Sequence, residues 1–179
     1  NNIELIGEKL LEVGKKYDLK ITGTPVFRAR RIEAGLLSAG CDFDKTTTPF
    51  EVGLDRFIDM EKGDFIGKDA LLNSLKLNKL WGVRVREGIA KKGRTILKGG
   101  KNIGFVTSST WSPYQECGVA MARIDKNVTV CAGSEVEVLG VDGNNYLAQI
   151  CSLPMYDKKG EIVRGIKQSP PTGPNPWLG

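Results

Sequence analysis

Arg31-Ile32-Glu33-Ala34-Gly35-Leu36-Leu37-Ser38-Ala39-Gly40, followed by Asp42-x-Asp44 and then Thr48-Pro49-Phe50-Glu51-Val52-Gly53-Leu54, is the stretch on which the reading of this chain turns. Its first part closes a helix. Gly23-Thr24-Pro25 reads as a helix start, with Thr24 as N-cap and Pro25 at the first helical position, where a missing N–H costs nothing. That helix runs to Ala34, and Gly35 or a neighbour ends it. Residues 38–47 then carry loop chemistry, and Thr48 followed three residues later by Glu51 fits the capping-box pattern of a short helical turn.

On the N-terminal side, Ile3, Ile6, Leu10, Val13 and Tyr17 recur at steps of three and four. They form one apolar helical stripe, with Glu4, Glu8, Glu12, Lys15 and Lys16 left for solvent. On the C-terminal side, 54–60 reads as a strand and 67–77 as a further helix. Beyond about residue 78 the texture changes to short apolar runs at 80–85, 95–97, 103–107, 118–124, 136–139 and 146–150. Turn signals separate them at Gly99-Gly100, Ser112-Pro113, Asp125-Lys126-Asn127 and Asp142-Gly143-Asn144-Asn145. Strands at this spacing predict a compact antiparallel barrel or sandwich. The class is therefore α+β. The last residues, Pro170-Pro171-Thr172-Gly173-Pro174-Asn175-Pro176, exclude regular helix or sheet and read as an extended arm or a disordered segment.

Composition narrows the chemistry. The chain has 179 residues and no histidine, and Cys41, Cys117, Cys131 and Cys151 lie far apart. That excludes Cys/His zinc sites and Ser–His or Cys–His nucleophiles, and leaves four reduced, mostly buried thiols. Asp42 and Asp44 lack further oxygen ligands at a recognised spacing, so they read as a solvated loop and no metal is expected. The net charge of +5 is mild, and aromatic residues do not alternate with basic ones as nucleic-acid binding requires. No apolar run approaches the roughly 20 residues of a membrane span. Asn1-Asn2 leads into an amphipathic stretch, not a signal peptide. A cytoplasmic protein, read from the middle of a longer chain, is the expectation.

The quoted stretch resembles the R-L-E-A-G-L…G…D…T-P-x-E-x-G-L signature of the glycine-cleavage T-protein family. The likeness continues through Gly63-Asp64-Phe65-Ile66-Gly67-Lys68-Asp69-Ala70-Leu71, Gly104-Phe105-Val106-Thr107-Ser108-Ser109, Ser112-Pro113 and Leu153-Pro154-Met155-Tyr156-Asp157. It covers roughly residues 4–165. The family includes the aminomethyltransferase of glycine cleavage, dimethylsulfoniopropionate demethylase, and the C-terminal regions of dimethylglycine and sarcosine dehydrogenases. The wording of residues 32–38 leans toward the last two branches. A non-catalytic folate-binding branch resembles Lys-Gly-Cys-Tyr-x-Gly-Gln-Glu where this chain has Lys62-Gly63-Asp64-Phe65-Ile66-Gly67-Lys68-Asp69, and the missing cysteine argues against it.

The resemblance implies that residues 1–77 are the C-terminal part of a folate-binding α/β region, 78–165 a small antiparallel β-barrel, and 166–179 a proline-rich tail. It implies tetrahydrofolate as cofactor, a small one-carbon donor, and a lipoyl carrier protein if the chemistry is of glycine-cleavage type. The family's catalytic aspartate precedes Asn1, so no catalytic residue is assigned, and the chain is expected to be inactive alone. Five residues are candidates for folate contact. Arg28 stands one place after the family's tail-binding arginine, whose position Phe27 fills. Arg31 and Glu33 match the signature, with helix packing as the rival role. Trp111 sits where a loop aromatic could roof the pocket, and Arg164 resembles a C-terminal arginine that reaches the folate tail.

Overall fold

The structure, a computed structural model, describes residues 2–167. Three helices come first: α1 (Ile3–Gly14), α2 (Thr24–Ala34) and the short α3 (Lys68–Leu72). Six strands follow: β1 (Asn78–Val85), β2 (Thr95–Lys98), β3 (Lys101–Ser112), β4 (Cys117–Asp125), β5 (Glu135–Leu139) and β6 (Asn145–Cys151). They close into an antiparallel barrel in the order β1-β4-β3-β2-β5-β6. Each strand contains one of the six apolar runs, so the α+β class and the barrel expected from the sequence are what the chain forms.

Strand alternation builds two cores. Inside the barrel lie Val83, Val85, Ile96, Val106, Ala120, Ala122, Val138, Ala148 and Ile150. A barrel of so few strands is narrow, and three alanines among the filling residues match that bore. The alternate residues Val119 and Met121, with Cys117 and Cys151, face outward and meet Ile32 of α2 and Met155. Ile32 is fully buried there. Among the described residues, α2 is thus the one α-helix that packs extensively on the barrel, against β3 and β4.

The N-terminal segment departs from the sequence reading in three places. The cap of α2 is Gly23, and Thr24 is already helical. The strand expected at 54–60 is a single 3-10 turn, Asp55–Phe57, because Gly53 turns the chain left-handed (φ 74°) and no strand lies beside it to pair with. The helix expected at 67–77 stops at Leu72, where the Asn73 amide donates to the Asp69 carbonyl (2.9 Å) and the Ser74 hydroxyl to the Leu71 carbonyl (2.7 Å). Such side chains offer the backbone an alternative to further helix. The Pro49–Val52 turn forms as expected, with the Glu51 carboxylate accepting from the Thr48 N–H and hydroxyl (3.1 Å each). Helix α1 exists, yet its stripe is exposed along its length: Ile3 73%, Ile6 56% and Leu10 61%. The proline-rich tail lies outside the described residues beyond Lys167.

Candidate functional site

The signature residues of α2 converge on the barrel through two buried polar clusters. Gly35 ends the helix at φ +72°, and the Leu36 N–H returns to the Arg31 carbonyl (2.8 Å). A Cβ on Gly35 would meet Leu153 at 2.9 Å, so glycine serves both the turn and the close approach.

The first cluster centres on Asp42. It is buried, which corrects the expectation of a solvated loop. Arg31 Nη1 donates to its Oδ2 (2.8 Å), as does the Ser38 N–H (2.9 Å). Its other oxygen accepts from the hydroxyls of Thr107 (2.6 Å) and Ser108 (2.7 Å). Two consecutive strand residues reach one carboxylate because β3 is bulged between Val106 and Ser108, which re-aims a side chain. Arg31 Nη2 donates in turn to Ser108 Oγ (2.8 Å).

Glu33, only 1% exposed, anchors the second cluster. It accepts from Ser112 Oγ, from Tyr156 Oη (2.6 Å) and from Arg30 Nη1 (3.1 Å). Its carbonyl, an orphan acceptor near the helix end, takes the Met155 N–H (2.7 Å). Burial, reinforced by the bond to Glu33 and its charge, pushes the Tyr156 phenol up to about 12, so it stays a donor at neutral pH. Burial lowers the Arg30 pKa, but Tyr156 and Glu33 outweigh it and the net shift is upward.

Three concavities flank α2. The first, about 740 Å³, lies between α2, the 36–41 loop, the 89–92 segment and β3. Arg28, Lys91 and Lys92 bring positive charge to it, beside hydroxyls of Ser109 and Thr110. Neither Arg28 nor Lys91 has an ion pair among the described residues. Lys92 Nζ donates to Cys41 Sγ at 3.0 Å and holds that thiol below its usual pKa. The second, about 700 Å³, is lined by Arg30, Glu33, Arg56, Tyr156 and the 157–163 segment. The third, about 450 Å³, is walled by Pro25, Val26, Trp111, Pro113 and Tyr114.

The structure therefore brings Arg28 and Arg31 to one pocket, and Glu33 and Trp111 to the groove on another flank of α2. Arg164 lines none of the three, and its guanidinium donates to the carbonyls of Gly160 (3.0 Å) and Lys159. Arg31 and Glu33 hold buried internal partners, the geometry of the packing role weighed above. Sequence reasoning missed Lys91 and Lys92, which carried no motif, and missed the partners of Glu33. Ser112 and Tyr156 did lie inside the matched motifs, but their meeting with Glu33 spans 79 and 123 residues of chain.

The sequence and the fold are similar to those of known proteins. Residues 78–157 match the model of the glycine cleavage T-protein C-terminal barrel domain, and residues 1–62 the GCVT N-terminal domain. An aminomethyltransferase of Thermotoga neapolitana is 37% identical over 166 residues, covering 89% of this chain and 43% of that protein. One from Pseudothermotoga lettingae is 36% identical over 155 residues, covering 84% and 42%. The crystal structure of the glycine cleavage system aminomethyltransferase T from Bartonella henselae superposes with a TM-score of 0.62 at 29% identity, over 71% of this chain and 37% of that one. The chain spans less than half the length of the relatives it matches. These matches do not favour the demethylase and dehydrogenase branches over the aminomethyltransferases.

Proposed function

The chain belongs to the glycine cleavage T-protein family, and from that premise we propose that it is the C-terminal portion of a tetrahydrofolate-dependent aminomethyltransferase. The whole protein moves a one-carbon unit from an amine donor of glycine-cleavage type, presented on a lipoyl carrier protein, to tetrahydrofolate in the cytoplasm. Residues 1–77 complete the folate-binding region and 78–165 form the barrel beside it.

The observation that carries this reading is the cationic pocket beside α2. A folate ends in carboxylates, and the pocket's donor set fits them: the planar fork of Arg28, the ammonium groups of Lys91 and Lys92, and two hydroxyls. Arg28 would take the tail with the two lysines. Arg31 and Glu33, satisfied by Asp42 and by Ser112 and Tyr156, set the position of α2 and hence the pocket wall. Trp111 stands on the neighbouring flank, and Arg164 would have to release its own loop's carbonyls to reach a ligand. When bound, tetrahydrofolate supplies the nitrogen that accepts the one-carbon unit. The transfer needs positioning and a carboxylate to manage charge near that nitrogen. In this reading the carboxylate belongs to protein preceding Asn1, so this chain supplies binding and enclosure and is inactive alone.

The test is a fusion. The part of the Thermotoga neapolitana aminomethyltransferase that this chain does not match is joined ahead of it, and tetrahydrofolate binding and one-carbon transfer are measured. The fusion is expected to bind and turn over, and the chain alone to be inactive. R28A in the fusion is expected to weaken binding roughly tenfold to a hundredfold, the loss of one charge-assisted hydrogen bond. Turnover by the pure chain would remove the claim of a missing carboxylate. A folded fusion that ignores tetrahydrofolate would remove the folate reading.

A further inference from the structure

Two nucleophilic side chains, Cys41 and Lys92, meet at the wall of the cationic pocket. Lys92 Nζ lies 3.0 Å from Cys41 Sγ, across 51 residues of chain. Both line the same open concavity, so a small solute reaches them from solvent. Backbone on both sides holds the approach. The Cys41 N–H donates to the Ser38 carbonyl (3.1 Å), and the next residue, Asp42, is buried and fixed by Arg31, Thr107 and Ser108. Lys92 is flanked by the Lys91 N–H, which donates to the Leu139 carbonyl (2.7 Å), and by the Gly93 N–H, which donates to the Val106 carbonyl (2.8 Å). Lys92 makes no ion pair among the described residues, so no carboxylate competes with the sulfur for its ammonium. Its hydrogen bond is the chief influence holding the Cys41 thiol below its usual pKa, with burial and Asp42 opposing it. A larger thiolate fraction follows, and the thiolate is the form that oxidants attack. Cys131 offers the contrast: it is exposed, but its sulfur lies beside the Ser134 hydroxyl at 3.6 Å and not beside an amine.

We propose that hydrogen peroxide joins Cys41 to Lys92 through a reversible sulfur–nitrogen bond, which makes the pair an oxidant-sensitive modification site. The Cys41 thiolate attacks one peroxide oxygen, the O–O bond breaks, and the departing hydroxide takes a proton from the Lys92 ammonium. This leaves a sulfenic acid beside a neutral amine, and one water. The amine nitrogen then attacks the sulfur, the S–O bond breaks, and hydroxide leaves with an amine proton as a second water. Sulfur has lost two electrons and peroxide has gained them. Capture of a sulfenic acid by a neighbouring nitrogen is the sulfenamide route, and it intervenes before the irreversible steps of thiol oxidation. A small thiol reverses it by exchange at sulfur, regenerating thiol and amine while it is itself oxidised to its disulfide. While the link lasts, it removes the Lys92 ammonium from the pocket and ties the 36–41 loop to the 89–92 segment. Under the folate reading, on which this consequence rests, oxidation weakens the hold on the carboxylate tail. The link itself stands without that reading.

The test treats the full chain with stoichiometric hydrogen peroxide at neutral pH, digests it without reductant and reads it by peptide mass spectrometry. The expected product is a Cys41–Lys92 cross-linked peptide, lighter than its separate parts by a pair of hydrogen atoms and abolished by dithiothreitol. In K92R, which keeps a cation there but replaces the amine with a poorly nucleophilic guanidinium, dimedone should trap Cys41 as the sulfenic acid and no cross-link should form. Dimedone adducts on wild-type Cys41 without a cross-link overturn the proposal. So does a Cys41 disulfide as the main product, or oxidation of Cys131 with Cys41 left as a thiol. A cross-link that retains an oxygen atom overturns direct capture, because it requires a second oxidation. None of these readouts involves folate, so failure of the link is distinct from failure of the folate reading, which the binding assay on the fusion decides.

Discussion

Two of the four thiols sit in the outer core and two do not, and the difference should be measurable chemically. Burial pushes Cys117 and Cys151 up to about 11 each, so at pH 8 both remain neutral thiols behind packed side chains. Cys41 is the reverse case, held below its usual pKa chiefly by the Lys92 hydrogen bond and lying at the wall of an open pocket. Cys131 is exposed. Timed alkylation with iodoacetamide at pH 8, read by peptide mass spectrometry, should label Cys41 and Cys131 in the native chain and leave Cys117 and Cys151 unmodified until denaturant is added. K92A should slow Cys41 alone. The sequence reading of mostly buried thiols described half of them, because exposure is set by which face of a strand or loop a cysteine occupies.

At the scale of elements, the barrel closes where backbone meets backbone. A Cβ on Gly104 of β3 would lie 2.2 Å from the Arg123 carbonyl oxygen of β4, a main-chain atom that cannot swing aside. Overpacking of this kind typically costs about 1–3 kcal/mol. Urea unfolding of G104A should therefore show a midpoint clearly below the wild type. G7A is the control, since a Cβ on Gly7 of α1 meets nothing within 4 Å and alanine favours helix by up to about 1 kcal/mol. Equal losses in both variants would contradict the assignment of Gly104 to strand contact. The helix α2 and the six apolar runs were legible because their signals are local: spacing, a proline near the start, a glycine at the end. The 54–60 and 67–77 segments were misread because propensity alone cannot supply a pairing partner or foresee side chains that recapture the backbone.

At the scale of the whole molecule, the apolar face of α1 is exposed and is continued by Leu19 and Ile21. Exposed patches of this kind mark surfaces that other protein covers. The isolated chain should bind the dye ANS and self-associate as concentration rises, and I6K/L10K should lower both. Fusion to the upstream region of an aminomethyltransferase should lower dye binding without any substitution. Dye binding that is indifferent to both changes would show that α1 is not the sticky surface.

The family, the α+β class and the six strands follow from the sequence by itself, because periodicity, turn residues and signature spacing are properties of neighbouring positions. The sequence also placed Arg31 and Glu33 within the signature that matters. What those two residues touch was decided only by the tertiary structure. A bulge in β3 carries Thr107 and Ser108 to Asp42, and the turn after β6 carries Tyr156 to Glu33. Lys91 and Lys92 join Arg28 in one pocket for the same reason. Such contacts join residues far apart in the chain, and only closure of the barrel against α2 brings them within hydrogen-bonding distance.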